Sequence, residues 1–491
     1  MARSPLPSIP THLTDVEVVG AARRGVALAV VVPSGAETEY TEVMNRLRAT
    51  GKAAEVSPLA GPEGPRWLVG VGEGTARDYR AAGAAFARAA TADAGQGGDA
   101  AGRRGPVTVQ VELPPQAGPD LYGQFATGVL LGGYRYRVSM DNGATGVRKV
   151  RLVAPTADAT QPYTEAVSRA CELARATALA RDLANTPSNV KNPAWLANTA
   201  QRLTADLPGL TVTVRDERWL AERGFGGMLA VGGGSASPPR LIEAVYRPRG
   251  ATAHLLFVGK GITFDTGGIS VKPAEGMQVM RTDMSGGGAV LAAMRAIATL
   301  RLRVRVTALV PAAENLISGS AYRPGDVVRH YGGRTTEVTN TDAEGRMVLA
   351  DALAYGTSRF SPDLVVDVAT LTGAMKIALG LRTGGLFASD DDLALRLRAA
   401  GERVGEAWWR MPLPDDHASD VRSDIADVRQ VPPGPGGIVA ALFLREFAGG
   451  LPWAHLDIAG PARSDKNYDE VVPGGTGFAT RTLVELAASY A

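Results

Sequence analysis

The chain has almost no cysteine, little histidine and little lysine, and each shortage narrows what it can be. Cys171 is the only cysteine in 491 residues, so no disulfide can form within the chain. That suits a reducing compartment, and a lone cysteine in a helical pattern reads as a small buried hydrophobe. The five histidines, His12, His254, His330, His417 and His455, show no H-E-x-x-H or other metal-ligand spacing and read as structural or surface groups. No run of about 18 uncharged apolar residues occurs, so no membrane span is expected. The longest candidate, Val365 to Leu381, is cut by Asp367, Lys376 and glycines. The opening stretch M-A-R-S-P-L-P-S-I-P-T-H has no apolar segment. The expectation is a soluble, cytoplasmic protein without a signal peptide. A net charge of +2 makes no case for nucleic acid or a membrane surface. Of 52 basic residues only seven are lysines: 52, 149, 191, 260, 272, 376 and 466. In so arginine-rich a chain, a lysine is a candidate for a task that arginine cannot do, such as giving up its proton.

What is present is ordinary globular material, 45% hydrophobic and 21% charged, in a chain long enough for two domains. Strand-like β-branched runs at 16–20, 25–33, 67–72, 107–113 and 150–155 alternate with helical patterns at 37–50, 76–94 and 124–135. This predicts an α/β domain over residues 1–162. The G-V-G-E-G turn after Val69 lacks the full dinucleotide-loop spacing and reads as a tight strand-to-helix turn. A helix over 163–186 connects to the second part, ending at the boundary N-T-P-S-N-V-K-N-P. Residues 187–491 alternate strand and helix again. The fold class expected is therefore α/β in two domains, the larger built on a mixed central sheet flanked by helices.

One stretch concentrates charge: N-T-D-A-E-G-R at 340–346, followed by the helical pattern M-V-L-A-D-A-L-A-Y. On an extended backbone Asp342, Glu344 and Arg346 would project to one side, with Gly345 permitting a close approach. An acidic turn before a helix also suits the helix dipole without any site. A second stretch, G-K-G-I-T-F-D-T-G-G-I-S-V-K-P, carries Lys260, Asp265 and Lys272, and M-R-T-D-M adds Asp283. Both stretches are read as following strands of one α/β domain, where ligands bind at the carboxyl ends. Four acids converging without histidine suggest hard divalent cations. The bland alternative is an ion-pair network, Lys260 to Asp265 and Arg346 to Glu344. A phosphate loop is disfavoured because Lys260 is followed by glycine and the spacing is wrong.

These stretches, with A-T-L-T-G-A at 369–374, L-D-I-A-G-P-A at 456–462 and G-T-G-F-A-T-R-T-L-V-E-L at 475–486, closely resemble the leucyl aminopeptidase (cytosol aminopeptidase) family of di-metal exopeptidases. The resemblance runs from about Asn185 to the end, in order and with matching spacing. The departures are mild: Arg281 where lysine is common, Gly287 and Gly288 where alanines are common, Met347 for leucine, and a proline-rich P-P-G-P-G-G loop at 432–437. They leave substrate preference and loop mobility open.

The resemblance implies two divalent ions per subunit, Mn²⁺ or Zn²⁺ with Mg²⁺ also compatible. Asp265 and Glu344 resemble the shared ligands. Asp342 completes one site, partly through its backbone carbonyl, and Lys260 and Asp283 complete the other. Lys272 and Arg346 resemble the two catalytic cations, Arg346 anchoring a bicarbonate ion that serves as general base. The backbone of Thr370, Leu371 and Gly373 would line the substrate or bicarbonate site. Met280 would lie near a pocket for an apolar first residue, with core packing as its plain alternative. Peptides with a free N-terminus would be the substrates, and a homohexamer the assembly. Two other functions stay in view: a phosphatase, disfavoured by the lack of a histidine-rich site, and DNA binding, which the near-neutral charge does not support.

Overall fold

The computed structural model describes residues 8–59, 66–96, 107–139, 146–156, 158 and 160–491. The chain divides into two units, Met1–Ala178 with Asp465–Pro473, and Leu179–Ser464 with Gly474–Ala491. The division drawn from sequence makes no provision for the 465–473 segment, which joins the first unit.

In the first unit the chain runs β1 (Asp15–Val19), β2 (Ala27–Val32), α1 (Thr41–Leu47), β3 (Val56–Pro58), β4 (Trp67–Gly70), α2 (Ala76–Gln96), β5 (Val107–Glu112), α3 (Pro119–Gly132) and β6 (Val147–Val153). The six strands form one sheet in the order β1-β6-β5-β2-β4-β3, parallel except for β3. The G-V-G-E-G segment leads from β4 into α2 as a strand-to-helix turn.

Helix α4 (Thr160–Asn185) spans the division between the units. The boundary cluster after it has a local cause. Asn192 caps α5 (Pro193–Thr204), its side chain accepting the Trp195 N–H at 2.8 Å, with proline in the first turn. The second unit continues with β7 (Leu210–Arg215), α6 (Glu217–Arg223), α7 (Gly226–Gly232), β8 (Arg240–Tyr246), β9 (His254–Gly259), β10 (Gly261–Asp265), α8 (Ser285–Thr299) and β11 (Arg305–Asn315). Then come β12 (Val327–Arg329), β13 (Thr335–Glu337), α9 (Glu344–Phe360), β14 (Leu364–Ala369), α10 (Gly373–Leu379), β15 (Thr383–Ala388), α11 (Asp391–Val404) and β16 (Ala407–Arg410). Further along lie β17 (Val428–Arg429), α12 (Gly436–Arg445), β18 (Trp453–Asp457) and α13 (Thr480–Ala488).

Nine strands make the central mixed sheet, in the order β16-β15-β18-β14-β9-β11-β8-β7, with β10 paired to β11. Its middle strands β18, β14, β9 and β11 run parallel. Every residue of β9, β14 and β18 is buried, as expected where helices cover both faces of a sheet. From β9 the chain goes on to β10 and β11 on one side, while β14 lies on the other. That makes the β9–β14 pair a switch point, and ligands collect at the carboxyl ends of strands flanking one. The glycines that open α8 let it reach that end. A Cβ on Gly286 would stand 2.0 Å from the Val368 carbonyl oxygen.

Candidate active site

The charged residues assemble where those strands end. Lys260 follows β9 directly, Asp265 ends β10, and Thr370 follows β14. Asp283 closes a 3-10 turn, Met277–Thr282, just before α8. Asp342 lies in the turn before α9, and Glu344 and Arg346 lie in the first turn of α9 itself. This corrects the sequence reading twice. The 342–346 backbone is not extended, so a period of two does not align its three side chains; the start of a helix does the gathering. The segment also follows β13, a strand of the separate three-stranded sheet β12-β13-β17, and not a strand of the central sheet.

Two lysines knit the acids together. The Lys260 Nζ stands 2.8 Å from Glu344 Oε1 and donates to Asp283 Oδ1 at 3.0 Å and to the Thr370 carbonyl at 2.9 Å. The Lys272 Nζ stands 2.8 Å from Asp265 Oδ2 and also pairs with Asp342 Oδ1. The pairing differs from the simple network that spacing suggested. Lys260 takes Asp283 and Glu344 rather than Asp265, and the Arg346 guanidinium donates to the Gln430 carbonyl at 2.7 Å rather than to Glu344. Gly345 proves necessary for this arrangement, since a Cβ there would lie 2.7 Å from Lys260 Cε.

The electrostatics are strained in a way that a cation relieves. Burial, then repulsion from Asp265, pushes the Glu344 carboxyl up to about 8. Burial also raises Asp283 and Asp342. Burial alone would lower both lysines; the acids outweigh it and hold Lys260 and Lys272 above their usual range. Burial pulls Arg346 down to about 10. Asp265, Asp342 and Glu344 each offer a carboxylate oxygen within 4.8 Å of the others. The buried Glu344 Oε2 has no hydrogen-bond partner. A concentrated, under-satisfied oxygen set of this kind fits divalent cations. Among the described residues no histidine or cysteine joins it. His254, His330 and His455 are instead buried beside Thr307, Asp351 and Asp367.

Thr370 belongs to the cluster, its hydroxyl donating to Asp283 Oδ1 at 2.6 Å. Leu371 and Gly373 follow it, half-buried and exposed, and Met280 is half-buried on the 3-10 turn. The Leu371 N–H is already taken by Asp457, at 3.2 Å. Three supporting residues escaped the sequence reading. Asn315, which ends β11, donates to Asp265 Oδ1 at 2.8 Å and to the Thr341 carbonyl at 2.9 Å. That fixes the carboxylate so that Oδ2 faces Lys272. The buried Gln430 accepts the N–H groups of Thr339 and Asn340, both at 3.0 Å, and donates to the Ala343 carbonyl at 3.1 Å. Asp457 holds the turn after β14. A polar residue closing an apolar strand was the available signal for Asn315 and Asp457; nothing local marks Gln430.

The chain is similar to known proteins over most of its length. Residues 178–484 match the model of the cytosol aminopeptidase family, catalytic domain. A probable cytosol aminopeptidase of Streptomyces avermitilis is 44% identical, over 96% of this chain and 95% of the relative. One of Leifsonia xyli is 42% identical, over 97% and 96%. Among solved structures, the bottromycin maturation enzyme BotP in complex with Mn superposes with a TM-score of 0.83 at 40% identity, covering 94% of this chain and 99% of that one. Fold, site and relatives together define a peptidase, a hydrolase dependent on divalent metal. The chain belongs to the cytosol aminopeptidase family.

Proposed function

We propose that the protein removes the first residue from peptides with a free N-terminus, using two divalent ions and favouring apolar first residues such as leucine. The observation that carries this reading is the meeting of four acids with Lys260 and Lys272 at the carboxyl end of the central sheet. Asp265 and Glu344 would be shared between the ions, with Asp342 adding to one and Lys260 and Asp283 to the other. Manganese or zinc suits this mixed oxygen and amine set. Bound there, the ions supply a water of lowered pKa and polarise the scissile carbonyl.

The chain's own groups supply the remainder. With a dication beside it to offset the acids that now hold its proton, Lys260 would ligate as the neutral amine, which an arginine could not do. Lys272 keeps its proton and donates to the oxyanion that forms at the cleaved carbonyl. Arg346 anchors a bicarbonate ion as general base; its buried Nε, without a hydrogen-bond partner, supports an anion there. Met280 borders the first-residue pocket, and the Thr370–Gly373 turn faces substrate. A cytoplasmic homohexamer belongs to the same reading.

The test compares leucine anilide, its N-acetylated form and a phosphate ester, after chelation and after return of Mn²⁺ or Zn²⁺. Metal-restored hydrolysis of the free-amine anilide alone is expected. Equal cleavage of the acetylated compound, or preference for the phosphate ester, would remove the aminopeptidase reading.

A further inference from the structure

The block L-D-I-A-G-P-A contains one acid, Asp457, to which the reading above gives no part. It ends β18 with 1% of its surface exposed. Among the described residues no ion pair reaches it, so its hydrogen bonds come from neutral donors alone; burial raises its carboxyl, and His455 and Arg346 act on it only at longer range. Four converge on it. Its Oδ1 accepts the N–H groups of Leu371 at 3.2 Å and Ala459 at 3.1 Å, and its Oδ2 accepts the Thr372 N–H at 3.1 Å and hydroxyl at 2.7 Å. A buried carboxylate without a paired cation is costly, and it persists where its hydrogen bonds are well made.

Those donors lie next to the site. Asp457 is the strand partner of Ala369, and Thr370 comes next. Thr370 uses both of its polar ends in the cluster, the carbonyl accepting from Lys260 at 2.9 Å and the hydroxyl donating to Asp283 at 2.6 Å. Whatever fixes residues 371 and 372 therefore fixes where Thr370 presents both groups.

We propose that Asp457 is a positioning residue for the reaction: it locks the turn after β14 and, through Thr370, sets the Lys260–Asp283 half of the site. The link to metal rests on the proposed function; the lock on the turn does not. The buried carboxylate beneath the turn takes no part in chemistry. It keeps Lys260 and Asp283 aimed inward.

The test uses full-length Asp457→Asn, which keeps the shape but replaces one acceptor oxygen by a donor. Hydrogen exchange of segment 369–374 in chelated protein reads the turn without metal or substrate, and Mn²⁺ titration reads the site. Exchange at Leu371 and Thr372 is expected to quicken about tenfold or more, and the weaker Mn²⁺ step to loosen by a similar factor. Trp453→Phe is the control. It removes the N–H that donates to Asp367 at 2.8 Å in the same sheet and leaves every hydrogen bond to Asp457 in place. Neither readout is expected to change with it. If Asp457→Asn does not fold, Thr372→Val removes one bond to Asp457 and moves both readouts the same way by less. Unchanged exchange in the variant would overturn the lock. Faster exchange with unchanged Mn²⁺ affinity would overturn the link to Lys260 and Asp283. A wild-type protein that binds no Mn²⁺ would instead remove the metal reading, with exchange still deciding the lock.

Discussion

Gly345→Ala tests whether the glycine in the 340–346 motif is there for Lys260. The added Cβ would stand 2.7, 2.8 and 2.9 Å from Lys260 Cε, Cδ and Nζ, against an ordinary contact of 3.4 Å and beyond. The lysine must retreat by roughly 0.5–0.7 Å, and it is 3% exposed with three partners at 2.8–3.0 Å. A retreat of that size carries at least one of those bonds past hydrogen-bond range. One charge-assisted bond is worth about 1.5–3 kcal/mol, a factor of about 10–100 in the affinity of an ion that shares those ligands. Overall stability should fall by no more than about 2 kcal/mol, because an overpacking cost of about 1–3 kcal/mol is partly offset by up to ~1 kcal/mol of helix propensity. The assay pairs Mn²⁺ calorimetry on chelated protein with a urea midpoint. Mn²⁺ binding weakened about 10–100-fold in a variant that still unfolds cooperatively, with a midpoint lowered by no more than about 2 kcal/mol of stability, is expected. Wild-type Mn²⁺ affinity in Gly345→Ala would refute the reasoning.

Other consequences are as concrete. Lys272→Ala should lower kcat by about 10²–10³ with metal still bound, and a change in KM alone would dismiss the oxyanion role. His254 is buried against Thr307 at 2.8 Å, and burial lowers it to about 4. The unfolded chain then binds the extra proton first, so stability is held above about 6.5 and lost as pH falls toward 4. Urea midpoints at pH 7 and 5 should fall less in His254→Gln than in wild type; parallel falls would clear His254 of that role.

Much of the architecture is written locally. The all-apolar runs that become β9 and β14 announce strands buried on both faces, and the N-P at 192–193 announces a capped helix. Residue type points to the meeting of Lys260, Asp265, Lys272, Asp283, Asp342 and Glu344, and places after central strands account for Lys260 and Asp265; Asp342 and Glu344 enter from a separate sheet and the start of α9. What the sequence hides depends on distant partners. Asn315 reaches Asp265 across 50 residues, and Gln430 pins Asn340 across 90. The joining of Asp465–Pro473 to the first unit has the same character, since nothing in those nine residues records the surface they pack on. The start of α9 at Glu344 was missed because a charged turn and a first helical turn look alike in sequence, and only packing against Lys260 separates them.

The central claim is that the acids around Lys260 and Lys272 form one centre that shares Glu344 between two ions. The direct measurement is the metal content of Glu344→Ala after equilibration with Mn²⁺, beside wild type. The account predicts two ions per wild-type chain and none in the variant; two ions retained by Glu344→Ala would contradict it.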